Sequence, residues 1–246
     1  MTTDNAALLR ALHVPGTPLV LPNVWDAASA RAVREAGFPA IATGSAAVAR
    51  VLGYADGEGT PVAEMMAAIA RIVRAVDLPV TADVERGYQL KPAELVERLL
   101  AAGAVGCNLE DSRPDTGELV DPGAQADFLA EVRAAAGQEL VINARVDTYL
   151  RGQGSREAAV ERGRRYLAAG ADCVYPIGLG AEDEIRALVS ELRGPVNVLF
   201  RPGVPALDRL GELGVARISF GGGLHQAAHH YAQGLFAKVR EGLNPY

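Results

Sequence analysis

A (β/α)8 barrel forming one domain over residues 1–246 is the fold class this sequence predicts. Eight short apolar runs alternate with alanine-rich amphipathic segments along the chain. Most runs are near-continuous, the pattern of parallel strands covered by helices. A phrase also recurs ahead of them: Arg34-Glu-Ala-Gly37, Leu100-Ala-Ala-Gly103, Leu167-Ala-Ala-Gly170 and Gly211-Glu-Leu-Gly214 each end a helix on glycine before the next run begins. Glycine suits the position just past a helix, where φ is positive and a side chain is costly. A doubly wound open sheet is the alternative, but no Gly-x-Gly-x-x-Gly follows the first run, where a dinucleotide site needs it.

Taken in order, the first strand is Leu19–Trp25, ending in Asn23-Val-Trp25-Asp26. The second, Ala40–Ser45, follows the Gly37 phrase and ends in Thr43-Gly44-Ser45. An amphipathic helix over Glu64–Val76 leads to Leu78-Pro79, a helix stop, and to the third strand, Val80–Glu85. A helix over Pro92–Ala102 precedes the fourth strand, Gly106–Asp111, and the fifth strand is Leu140–Val146. A helix over Arg156–Ala169 precedes the sixth, Cys173–Ile177. Gly194-Pro195 introduces the seventh, Val196–Phe200. The eighth, Ala216–Phe220, runs into Gly221-Gly222-Gly223 and a last helix over Leu224–Glu241.

Composition narrows the function. Asp and Glu number 30 against 24 Lys and Arg, a net charge of −6, and aromatic residues are 5%. Neither a basic face nor a base-stacking surface follows, so nucleic acid is not an expected partner. No apolar run reaches the length of a membrane span, and the start Met-Thr-Thr-Asp-Asn has no basic or apolar leader. Cys107 and Cys173 lie in apolar stretches without metal-like spacing, as reduced thiols of a cytoplasmic protein do.

In such a barrel, chemistry gathers at the C-terminal ends of the strands. Asp83 and Glu85 end the third strand, Glu110 and Asp111 the fourth, and Arg145 and Asp147 the fifth. Side chains two apart on a strand share a side, so Asp83 and Glu85 are expected together, with Glu110 arriving from the next strand. Carboxylates that share a pocket stay ionised together only beside a cation. An all-oxygen set suits Mg2+ or Mn2+; the same acids would equally serve as salt bridges and helix caps. Arg145 is either a clamp for a carboxylate or phosphonate or a buried partner of Glu110 or Asp147. Thr43-Gly44-Ser45 offers backbone N–H groups and hydroxyls to an anion, or is a polar turn. Gly221–Gly223 would hold a phosphate or simply pack closely. Trp25 reads as pocket wall or rim packing, and His229-His230 as a solvated or interface pair.

Six phrases at these positions resemble the isocitrate lyase/phosphoenolpyruvate mutase superfamily: Asn23-Val-Trp-Asp-Ala27, Ala42-Thr-Gly-Ser45, Leu52-Gly-Tyr-Ala-Asp-Gly57, Asp83-Val-Glu-Arg-Gly-Tyr88, Asn108-Leu-Glu-Asp-Ser112 and Ile142-Asn-Ala-Arg145. They run in family order, and the likeness extends from about Val20 to the last helix. The resemblance implies a Mg2+-dependent barrel that handles 2-oxo acids through an enolate-like species. It implies Asp83 as the direct metal ligand, with Asp56, Glu85 and Glu110 holding the metal's waters. Glu85 stands where well-known members have Asp. Arg145, Asp56 and Glu110 are the implied catalytic residues, Arg145 stabilising the enolate oxygen. Thr43, Gly44, Ser45 and Ala46 are the implied cradle for a carboxylate or phosphonate, with Trp25 at the wall.

One segment departs from the family. Isocitrate and methylisocitrate lyases carry a Lys-Lys/Arg-Cys-Gly-His loop after the fourth strand, and its Cys protonates the leaving dicarboxylate. Here residues 111–121 read Asp-Ser-Arg-Pro-Asp-Thr-Gly-Glu-Leu-Val-Asp. Ordinary isocitrate lyase activity is therefore not expected. The loop suits a lid, with Arg113 and Thr116 as its substrate-touching candidates. Cleavage or formation of a C–C bond in a 2-oxo acid is the expected reaction. P–C chemistry of the mutase or phosphonopyruvate hydrolase type and a non-catalytic 2-oxo acid binder are the alternatives. The family also implies a homo-oligomer, dimer or tetramer, with a last helix available for exchange between barrels.

Overall fold

The structure is a computed structural model and describes residues 2–152 and 155–246. The chain begins with α1 (Thr2–Ala11), β1 (Leu19–Leu21), β2 (Asn23–Val24) and α2 (Ala27–Glu35). It continues through β3 (Ile41–Thr43), α3 (Ser45–Leu52), α4 (Val62–Arg74), β4 (Val80–Asp83), α5 (Pro92–Ala101) and β5 (Gly106–Leu109). Then come α6 (Pro122–Ala136), β6 (Val141–Arg145), α7 (Thr148–Arg151), α8 (Arg156–Ala168), β7 (Cys173–Tyr175) and α9 (Glu182–Leu192). The chain ends with β8 (Asn197–Leu199), α10 (Leu207–Glu212), β9 (Arg217–Ser219) and α11 (Gly223–Arg240).

Every strand pairing is parallel. The ladder runs β2-β3-β4-β5-β6-β7, and a second runs β1-β9-β8. Pro22 has no N–H to contribute to a ladder, and it divides the predicted first strand into β1, paired with β9, and β2, paired with β3. A parallel bridge between Val174 and Val196 joins β7 to the entry of β8. The sheet thus closes into the predicted barrel. Asn23 locks the seam: its Nδ2 donates to Thr43 O at 2.9 Å, and its Oδ1 accepts from Phe220 N at 2.8 Å and Gly221 N at 2.9 Å. The four phrase glycines hold the backbone their spacing required, with φ of +84° at Gly37 and Gly103, +101° at Gly170 and +85° at Gly214.

The structure also differs from the sequence reading in where strands end, the third, fourth and sixth stopping at Asp83, Leu109 and Tyr175, and in one added helix. The predicted second strand stops at Thr43, and Ser45 already opens α3, with Gly44 as its N-cap. A helix absent from the prediction, α1, closes the N-terminal end of the barrel. Its Ala6 and Leu9 are buried in one cluster with Leu19, Leu21, Ala40, Ala42, Val105 and Val141. Arg10 pins it there through Asp172 at 2.7 Å. Gly106 makes room for the plug, since a Cβ there would stand 3.0 Å from Leu9 Cδ2 and 2.9 Å from Thr81 Oγ1. Higher in the lumen, Arg217 is fully buried and donates from Nη2 to Asn108 Oδ1 at 3.2 Å.

Candidate active site

Where the strands end, the barrel gathers its ionisable groups. Asp83 is the last residue of β4. Its Oδ2 accepts from Ser45 N at 3.2 Å and Ser45 Oγ at 3.1 Å, and Thr43 Oγ1 accepts from Asp83 N at 2.9 Å. The cradle and this carboxylate are therefore one hydrogen-bonded unit at the start of α3, whose open N–H groups favour an anion. Ala46, half-buried, continues that first turn. Asp83 Oδ1 is buried without a partner. Burial raises the pKa of the Asp83 carboxyl, Arg145 opposes the rise, and Asp56 adds to it.

Glu85 lies past the end of β4 with φ +51°, so strand alternation does not aim it, contrary to the expectation from spacing. Its Oε2 accepts from Glu58 N at 2.5 Å, and its Oε1 accepts from Tyr88 Oη at 3.1 Å. Burial, helped by the charges of Asp56 and Asp83, pushes its pKa up to about 7. Asp56 itself is exposed in the loop between α3 and α4. Glu110 follows β5, and its backbone N donates to Glu85 O at 2.8 Å. Its carboxylate meets Arg145 Nη1. The Glu110 pKa is raised because burial and the nearby charges of Asp147, Asp83 and Glu85 outweigh Arg145.

Arg145, at the end of β6, is held as a fork. Nε and Nη2 each donate to Asp147 at 2.9 Å, and Nη1 donates to Glu110. Of the five N–H groups of a guanidinium, one on each terminal nitrogen remains for a ligand. Both sequence readings of this arginine thus meet in one geometry: it is a buried partner of two acids and keeps donors to spare. Asp147 is fixed in turn by Ser112 Oγ at 2.5 Å, and its N donates to Asp111 Oδ1 at 2.8 Å. Asp111 Oδ2 accepts from Arg162 Nη1 at 3.0 Å and Tyr166 Oη at 2.8 Å. Sequence reasoning anticipated Asp147 as a partner of Arg145 but missed the rest of this supporting row, Ser112, Asp111, Arg162 and Tyr166. The pairing of Asp111 and Asp147 with Glu110 and Arg145 in the strand-end phrases was its one visible signal; Arg162 and Tyr166 gave none.

The remaining candidates lie further out. The loop after Glu110 folds into a tight hairpin, with Ser112 bridged to Leu119 and Arg113 N donating to Glu118 O at 2.8 Å. Arg113 and Thr116 are exposed on it, and Thr116 Oγ1 accepts from Glu118 N at 3.2 Å. Trp25 packs edge-on against His225 of α11, ring centroids 4.9 Å apart, and lines a groove beside Val48 and Arg71. Burial pushes the thiols of Cys107 and Cys173 up to about 12.

A divalent cation fits this donor set by its chemistry. Asp83 presents a buried oxygen without a partner, and its charge helps raise the pKa of both Glu85 and Glu110, while the charge of Asp56 helps raise its own. Among the described residues, no three His, Cys, Asp or Glu side chains close on one point, because Glu110 is drawn to Arg145 and Glu85 to Glu58 and Tyr88. One direct ligand with waters for the rest is how Mg2+ is commonly held.

Comparison with known proteins places the chain in a group. The family model described as phosphoenolpyruvate phosphomutase matches residues 9–240. A Burkholderia cenocepacia protein described as a candidate phosphonomutase superposes with a TM-score of 0.89 at 44% identity, over 95% of this chain and 99% of that one. An uncharacterized protein of Mycobacterium tuberculosis is 37% identical over 89% of this chain and 85% of its own length. Oxaloacetate decarboxylase 1 of Pseudomonas fluorescens is 31% identical over 84% of this chain and 74% of its own length.

Proposed function

Because the chain belongs to the phosphoenolpyruvate phosphomutase family, we propose that it is a carbon–carbon lyase acting on a 2-oxo acid through an enolate-like species, as its likeness to oxaloacetate decarboxylase suggests. The observation that carries this reading is the pairing, on one rim, of the unpartnered Asp83 Oδ1 with the fork of Arg145 and its two spare N–H groups. Asp83 would hold Mg2+ directly, and Asp56, Glu85 and Glu110 would hold its waters; Mn2+ suits the same set. When bound, the cation supplies positive charge beside the carboxylate and keto oxygen of the substrate.

The chain's own residues do the rest. The first turn of α3, through Thr43, Gly44, Ser45 and Ala46, orients the substrate carboxylate. As the bond at C3 breaks, its electron pair becomes the C2–C3 double bond and the carbonyl pair moves onto the keto oxygen; the other fragment leaves as CO2 or a carbonyl compound, and a proton from water returns to C3 as the enolate collapses. The spare N–H groups of Arg145 stabilise that charge, preset by Asp147 so that no reorganisation is needed. Asp56 and Glu110 complete the catalytic set, and Trp25 closes the wall. Arg113 and Thr116, on the hairpin, cover the substrate and exclude water. Cys107 is no substitute for the acid of the isocitrate lyases, because it sits inside β5 with its pKa raised by burial.

An NMR panel tests the reading. Oxaloacetate, pyruvate, 2-oxoglutarate, phosphonopyruvate, isocitrate and methylisocitrate are incubated in D2O with Mg2+ or with EDTA. Metal-dependent conversion, or metal-dependent exchange of C3 protons, is the expected result. An Arg145→Ala protein that kept full turnover would overturn the role of the arginine. The family model's description and the candidate phosphonomutase relative favour P–C chemistry as the second reading; a 31P change with phosphonopyruvate selects it. Mg2+-dependent binding without turnover would select a binder.

The enzyme is one catalytic domain, cytoplasmic, and a homo-oligomer. Among the described residues, no helix is long and apolar enough to cross a membrane. Tyr231 is 71% exposed and Phe236 70% exposed on α11, which supports packing or exchange of that helix between copies. A monomer by light scattering would exclude it.

A further inference from the structure

Between the last turn of α3 and the first turns of α11 lies a cavity of about 540 Å3 that the reaction above does not use. Arg50 and Val51 enter it from α3. From α11 come His225, Gln226, His229, His230 and Gln233, which recur at helical spacing along one face. Val51 apart, every one of these side chains carries N–H groups. Acids outnumber bases in the chain by 30 to 24, yet none lines this cavity.

His225 is its buried end. The residue is 3% exposed, and neither Nδ1 nor Nε2 has a hydrogen-bond partner. A buried polar group left so is destabilising, and such groups are normally satisfied. Trp25 covers one side of the ring, and His229 lies on another, with centroids 4.3 Å apart. The structure thus sets His229 against His225, one helical turn away, and not only beside His230. Burial, then the charges of His229 and Arg50, hold the pKa of His225 below its ordinary value, against Asp26. That carboxylate is engaged in capping α2, where it accepts from Ser29 N at 2.7 Å. Among the described residues, Arg50 forms no ion pair.

We propose that this cavity binds a small oxyanion of the phosphate or sulfate class, between the guanidinium of Arg50 and the imidazoles of His225 and His229. The guanidinium offers two parallel N–H groups to such an anion, and each neutral ring offers one. The anion supplies the acceptor that buried His225 lacks. Proton uptake by either ring adds positive charge, so affinity rises as pH falls. A metal cation is the poorer match, since Arg50 is not neutralised and no carboxylate is at hand. The site stands apart from the 2-oxo acid reading: α3 carries the cradle in its first turn and Arg50 in its last.

Proton NMR tests it on the full chain, because there are only four histidines to resolve. Inorganic phosphate is titrated in at about pH 6.5, where an ordinary imidazole is half protonated, against chloride at matched ionic strength. His229→Gln and His230→Gln assign the lines, and His13 at the barrel floor is the internal control. The Cε1–H lines of His225 and His229 are expected to move saturably with phosphate while that of His13 stays. In Arg50→Gln, on the exposed end of α3, the dissociation constant should rise by about tenfold, the low end for a charge-assisted hydrogen bond. Phosphate that moves these lines no more than chloride does, or that binds Arg50→Gln as tightly as the parent, overturns the proposal. Lines that follow protein concentration and not phosphate would assign the face to contact between copies. Lines broadened by Ni2+ and unmoved by phosphate would assign the pair to a metal. Either result also overturns it.

Discussion

Replacing Asp147 by asparagine keeps the size of the side chain and removes its charge. Asp147 is fully buried and is the two-pronged partner of Arg145. The amide has one acceptor in place of two, and in either orientation its NH2 would face an N–H of the guanidinium. Breaking a buried pair on one side costs about 3–5 kcal/mol of stability. Glu110 remains to hold Nη1, so the low end, about 3 kcal/mol, is expected here. The effect on rate is separate. If Asp147 aims the N–H groups of Arg145 at the developing oxyanion, their loss of aim costs as much as losing one such donor, about 10²–10³ in kcat. Urea unfolding gives the first number, and steady-state kinetics on the fastest substrate of the panel gives the second, both at a temperature where the variant is folded. A folded variant with wild-type kcat would refute the reasoning, since Asp147 would then be a structural counter-charge only.

Three other expectations follow from buried groups. His13 is buried, and its Nδ1 lies 2.7 Å from Leu9 O; burial first, then the charge of Arg217, lowers its pKa from 6.5 to about 4. The unfolded chain thus takes up a proton near 6.5 that the folded chain refuses until about 4, so stability is complete above that window and falls by about 3 kcal/mol as pH drops through it. Urea midpoints from pH 7.5 downwards should show this slope in the parent protein and lose it in His13→Phe; equal slopes contradict the assignment. Gly106→Ala drives a methyl onto Leu9 and Thr81 and should cost about 1–3 kcal/mol, read as an earlier urea midpoint. Cys107 and Cys173 should ignore a thiol reagent in the native protein and react fully in urea; fast native labelling would mean that the strands open readily.

The legible part of the fold was whatever depends on local pattern. Apolar runs marked the strands, and the glycines before them marked helix ends because positive φ leaves few other residues. The split at Pro22 was hidden because Leu19–Leu21 and Val24-Trp25 are apolar and read as one run, although Pro22 and Asn23 interrupt it. The helix α1 was hidden because Leu9 has a partner only once eight strands have formed a floor. In the site, Asp83, Glu85, Glu110 and Arg145 were found by looking at strand ends, and Asp56 only through resemblance. The aim of Glu85 could not be read, since its left-handed backbone is one that sequence rules assign to glycine. Arg162 and Tyr166 were out of reach for a different reason: they meet Asp111 from 51 and 55 residues away, and nothing local to α8 announces it.

The three hydrogen bonds of Asn23 have a consequence for how the molecule comes into being. Two of them join residues 197 and 198 positions apart in the chain, and the third fixes the carbonyl of Thr43, at the root of the cradle. Contacts so remote in sequence form late, after the entropy of closing a long loop has been overcome. On the ribosome, the first five strands can therefore emerge and pair while the cradle still lacks its final support. The amides of Phe220 and Gly221 become a clock for that event: in pulsed hydrogen exchange, their protection marks the moment at which the ring shuts and the anion site takes shape.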